Sequence, residues 1–222
     1  STLFPYTTLF RSLFISHDIT ATGPQKFHTV PTPRIGGIAI AAGLAATVLA
    51  LEAFEWLGSA AAYGLTMLAL SAIPAFAGGF GEDVTRKVGV LARLMLTFAA
   101  GVFASMLVGA TLDRLDMPGL DALLQWPVFA IAFTAFAVGG IANSINIIDG
   151  YNGLASGYSV IVLAAMAWVA GQVGDPVVLT ASLAMLGALL GFLVWNYPGG
   201  RIFMGDGGAY LLGMNRDRKS VV

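Results

Sequence analysis

The sequence predicts an all-α, polytopic transmembrane helix bundle of about six to eight spans, from three observations. Of the 222 residues, 57% are hydrophobic and only 10% charged, and the mean hydropathy is +0.82. Apolar runs of about 20 residues, the length that crosses a bilayer, recur with polar loops between them. Lysine and arginine gather in alternate loops. Such a composition cannot cover a soluble core with a solvated surface. Cysteine is absent, which excludes a disulfide framework, a thiolate metal site and a thiol nucleophile. A formal net charge of −1 says little about partners, and no nucleic acid is expected. Residues 1–12 and 215–222 share neither the periodicity nor the composition of the rest and are read as non-native tails. Residues 13–214 are read as a single integral-membrane domain, truncated at its C-terminal end.

In order, the spans are expected at Ile35–Leu57, Ala60–Phe80, Leu91–Leu112, Leu124–Ala142, Leu154–Ala170 and Val177–Trp195. A partial span precedes His28, and a short apolar run begins near Gly208. Successive spans alternate direction, so the loops fall into two sets. Lys26–Arg34, Gly81–Val90, Asn143–Gly153 and Asn196–Gly207 form one; Gly58–Ser59, Asp113–Asp121 and Gly171–Pro176 form the other. With its immediate flanks the first set carries Lys26, Arg34, Arg86, Lys87, Arg93 and Arg201, against Arg114 alone in the second. The positive-inside rule makes the first set cytoplasmic. In a bacterium this is a multi-pass protein of the inner membrane, with Trp56, Trp126, Trp168 and Trp195 near span ends as an interfacial belt.

The cytoplasmic set also holds Glu82, Asp83, Asp149 and Asp206. Asn143–Gly157 reads NSINIIDGYNGLASG, a density of amides and carboxylates that hydrocarbon does not tolerate, so the stretch lines something polar. Asn143, Asn146 and Asp149 share a face if the preceding helix continues through them. Carboxylates and amide oxygens without thiolates suit a hard cation, Mg²⁺ or Mn²⁺ in its place. Arg34, Arg86 and Lys87 beside them suit phosphates. Together they describe a site for a metal-bound diphosphate at a membrane surface. Gly205 and Gly207 would let backbone N–H groups approach phosphate oxygens, a weak signal by itself.

The motifs HTVPTPRIGG from His28, GGFGED from Gly78, NSINIIDGYNGL from Asn143 and FMGDGG from Phe203 follow one another on one side of the membrane. In that order they resemble the polyprenyl-phosphate N-acetylhexosamine-1-phosphate transferases of glycosyltransferase family 4. The resemblance implies transfer of a sugar 1-phosphate from a UDP-sugar to a polyprenyl phosphate, releasing UMP, with Mg²⁺ as cofactor and room for a homodimer. It makes Asp206 the metal ligand, joined by Asp149 from the Asn-Asn-Asp motif. Asp83 becomes base or phosphate-site organiser with Glu82 beside it, while Asn143, Asn146, Asn152, Asn196, Phe203, Arg34, Arg86 and Lys87 become substrate contacts, Phe203 by stacking on uracil. Glu82 stands where the family's acid pair usually begins with Asp. Asn152 and Arg86 stand where the peptidoglycan-precursor branch has Asp and Lys, which points to the branch that initiates O-antigen, teichoic acid or other polysaccharides.

Plainer readings compete. Asp149 would serve as an N-cap for the span starting at Leu154, Glu82 and Asp83 as loop charges paired with Arg86 and Lys87, and Phe203 as an interfacial anchor. A transporter of a phosphorylated or nucleotide-linked substrate is the alternative function, but it would bury ionisable residues near mid-membrane, and here the span centres are clean.

Overall fold

The computed structural model describes residues 32–54 and 59–214. The tails 1–12 and 215–222, Lys26, His28, Trp56 and the partial span before His28 lie outside the described residues. Within them the regular structure is helical: α1 (Gly36–Phe54), α2 (Ser59–Ser71), α3 (Ile73–Thr85), α4 (Val90–Val108), α5 (Leu120–Leu124), α6 (Pro127–Ile148), α7 (Leu154–Val173), α8 (Pro176–Asn196) and α9 (Gly205–Met214). Five helices are long and apolar enough to cross a membrane, and α2 with α3 adds a sixth as one bent span. The chain is a multi-pass, all-α membrane bundle, as its composition predicts.

The boundaries depart from expectation in ways that matter for the site. The second span bends by 43° between Ser71 and Ile73, because Pro74 in the first turn of α3 has no N–H to continue the preceding ladder. Helix α3 then runs on to Thr85, so Glu82 and Asp83 sit on its last turn and not in a loop. Helix α6 passes its expected end at Ala142 and reaches Ile148, which carries Asn143 and Asn146 into helix. The N-cap of α7 is Gly153 without a side-chain bond. Asp149 instead terminates α6, its N–H donating to the Ile145 carbonyl at 3.1 Å, so the N-cap reading of Asp149 is wrong.

The short run near Gly208 becomes the centre of the bundle. Every residue of α9 except Asp206 is buried, and α9 packs against α3, α6 and α1. Without a hydrophobic drive between helices in lipid, close packing of small residues supplies the attraction. A Cβ on Gly37 would lie 2.5 Å from the Gly208 nitrogen, and one on Gly213 would lie 2.4 Å from Ala142 Cα. The opposite faces carry Leu49, Val128, Ile161 and Val194 exposed, apolar surface that lipid covers. Hydroxyls inside the spans bond back to their own helices, as Thr47 does to Gly43, Thr134 to Ala130 and Ser159 to Ala155.

Candidate functional site

Helix α9 starts at Gly205, whose φ of +74° suits glycine, and where a Cβ would lie 2.6 Å from Asp83 Oδ2. Into that space Asp83 turns its carboxylate, accepting the N–H groups of Asp206 and Gly207, each at 2.9 Å. Two of the orphan donors at the helix start are thereby satisfied by a charge at the favourable end of the helix dipole. These are the N–H groups the sequence offers to phosphate oxygens, and they are already taken. Asp206, the next side chain, accepts Asn146 Nδ2 on Oδ1 at 2.7 Å and pairs through Oδ2 with the Arg93 guanidinium.

Asp149 arrives from the C-terminal end of α6. An acid there faces the negative end of the helix dipole, so local electrostatics do not explain its position. Burial pushes its carboxyl up to about 7; Arg34 opposes the shift while Asp206 and Asp83 add to it. Three acids from distant stretches thus share one electrostatic neighbourhood, and Arg34 acts on both Asp83 and Asp149. Among the described residues no three carboxylate or imidazole groups close around a point as a preformed metal cage. The donor chemistry nonetheless fits a hard cation. The Asp206 and Asp149 carboxylates lie within electrostatic reach of each other, and no hydrogen bond to the Asp149 carboxylate arises from the described residues.

Several expected contacts turn out to build the frame. Asn196 is 3% exposed; its Oδ1 accepts the Gly153 N–H at 2.6 Å and its Nδ2 donates to the Ile202 carbonyl at 2.9 Å. Both ends of the amide thus staple two loops together. Replacing Asn196 with alanine strands both partners, about 1–3 kcal/mol each, and is expected to lower the thermal unfolding midpoint in detergent by several degrees. Asn152 joins the same staple by donating to the Pro198 carbonyl at 3.4 Å. Asn143 donates back to Gly139 in its own helix at 2.7 Å, so of the two α6 asparagines Asn146 alone reaches Asp206. Glu82 Oε2 accepts the Val88 N–H at 2.8 Å and closes the turn into α4. Arg86, in the left-handed region at φ 54°, and Lys87 occupy that exposed turn. Phe203 is half-buried, with its N–H donating to the Pro33 carbonyl at 2.9 Å and its carbonyl accepting from Gly36 at 2.9 Å.

Arg93 is the site residue that sequence reasoning missed, taking it only as an orientation charge. Its place in the first turn of α4, a helix otherwise apolar at that end, was the available signal, since a cation inside a span seeks a partner. Tyr210, 2% exposed, lies beside the Arg93 side chain.

The sequence profile of glycosyl transferase family 4 matches residues 65–216. A Bacillus subtilis (strain 168) protein named "Probable undecaprenyl-phosphate N-acetylglucosaminyl 1-phosphate transferase" is 35% identical over 85% of this chain and 51% of its own length. The phospho-N-acetylmuramoyl-pentapeptide-transferases of Carboxydothermus hydrogenoformans and Lactobacillus johnsonii are each 31% identical, over 90% and 95% of this chain and 65% and 70% of theirs. The chain therefore spans about half to two thirds of the length of these relatives. With motifs, bundle and acid cluster agreeing with that match, the chain belongs to glycosyl transferase family 4.

Proposed function

We propose that the protein transfers a sugar 1-phosphate, N-acetylhexosamine 1-phosphate by its relatives' names, from a UDP-sugar to undecaprenyl phosphate at the cytoplasmic face of the bacterial inner membrane. The observation that carries this is the meeting of Asp83, Asp149, Asp206 and Arg34 at one end of an apolar bundle, where a lipid phosphate and a soluble nucleotide can both arrive. An oxygen of the lipid phosphate forms a bond to the β-phosphorus, and the bond from that phosphorus to the bridging oxygen breaks. UMP leaves with the bridging oxygen. The second pKa of a phosphate monoester is about 6, so the nucleophile is ionised at neutral pH and needs no general base. Asp83, with both oxygens on the start of α9, holds Asp206 in place. Arg34 supplies positive charge at the rim. Mg²⁺ bound by Asp206 and Asp149 would neutralise charge developing on the diphosphate.

The test uses purified protein, undecaprenyl phosphate, Mg²⁺ and UDP-N-acetylglucosamine labelled in the sugar. Label enters the lipid extract with one UMP released per lipid formed. Release of UDP, which marks transfer of sugar without its phosphate, or label that stays aqueous, would overturn the proposal.

A further inference from the structure

Asp206 is already neutralised by the protein itself. Its two oxygens are divided between Asn146 and Arg93, and the Arg93 and Asp206 side chains are each 16% exposed. Without a cation, three carboxylates gathered in one partly dry neighbourhood repel one another, and Arg93 offsets that repulsion. Its fit is incomplete, however, because the buried Arg93 Nε has no hydrogen-bond partner. An unpaired buried donor is costly, which leaves the guanidinium held less firmly than a fully bonded ion pair. The arm reaches the site from α4, an element that contributes none of the three acids.

We propose that Arg93 is the resident counter-cation of Asp206, a positioning residue that a divalent ion must displace from the carboxylate before it binds. This rests on the reading of Asp206 as a metal ligand. A site whose competent state requires breaking an internal pair binds with an affinity reduced by the fraction of molecules in that state. Arg93 therefore weakens cation binding while keeping the empty site folded.

Mn²⁺ serves as the probe, its free concentration followed by electron paramagnetic resonance as protein is titrated, with no substrate present. Arg93→Gln is expected to bind Mn²⁺ at least about tenfold more tightly than wild type, the equivalent of about 1.4 kcal/mol. Arg93→Met, of similar length and uncharged, is expected to do the same and guards against a failure specific to the glutamine variant. Asp206→Asn is expected to lose the binding. Arg93 variants that fold, as judged by their thermal midpoints, yet bind Mn²⁺ no better than wild type while Asp206→Asn loses it, would overturn the displacement and leave the metal assignment standing. Wild-type Mn²⁺ affinity in Asp206→Asn would overturn both.

Discussion

Asp206→Asn is expected to reduce transfer of labelled sugar phosphate to lipid by at least about a thousandfold, while the protein remains folded in detergent. The asparagine keeps a carbonyl oxygen for Asn146, whose bond to Asp206 Oδ1 is 2.7 Å long, so the geometry of α6 against α9 survives. What disappears is the negative charge. A divalent ion loses a ligand, and Arg93 loses its ion-pair partner. Stranding one member of a buried pair costs roughly 3–5 kcal/mol, and the cost here is smaller because both side chains retain some exposure. Activity and stability separate in the double variant. Adding Arg93→Gln to Asp206→Asn removes the stranded cation, so the thermal midpoint recovers towards wild type while transfer does not. Recovery of transfer in the double variant would mean that Asp206 acts only as a tether for Arg93.

Composition and periodicity were enough for the class of fold, because in a bilayer every span must satisfy its own backbone and be apolar over its length. The site's acids were legible for the same reason. Asp83, Asp149 and Asp206 stand in glycine- and asparagine-rich stretches where apolar residues would be expected, and the structure brings all three together. What single stretches did not reveal is pairing across them. That Asp83 would cap α9, that Asn196 would staple Gly153 to Ile202, and that Arg93 would reach Asp206 all depend on helices far apart in the chain. Helix ends were misplaced where polar residues continue a helix into the site. The amides of Asn143 and Asn146 look like loop composition, yet they are the last turns of α6, tolerable there because each has a hydrogen-bond acceptor.

The close approach of α3 and α9 sets these acids in register, and Gly79→Ala tests it with a single methyl group. A Cβ at Gly79 would lie 2.5 Å from the Asp206 carbonyl carbon, and 2.6 Å from both the Asp206 oxygen and the Gly207 nitrogen. All three are backbone atoms of the first turn of α9, so no side chain can rotate away to make room. Gly79 and Asp83 are one helical turn apart on α3 and face the same partner. Pushing α9 back at Gly79 therefore also lengthens the two 2.9 Å bonds from Asp206 and Gly207 to Asp83. Overpacking alone costs about 1–3 kcal/mol, and weakening two charge-assisted bonds adds to it. Transfer is expected to fall by about a hundredfold or more, since a displacement of about 1 Å at a reacting centre has that effect, and the thermal midpoint falls with it. Two comparisons isolate the cause. A Cβ on Gly81 meets only Val88 Cγ2 at 3.4 Å, so Gly81→Ala leaves both measurements near wild type. Gly213→Ala collides with Ala142 Cα at 2.4 Å, but at the far end of α9 from the acids, and is expected to lower stability with a smaller loss of transfer. If Gly79→Ala instead matches Gly213→Ala in both, the α3–α9 contact is ordinary packing and does not position Asp206.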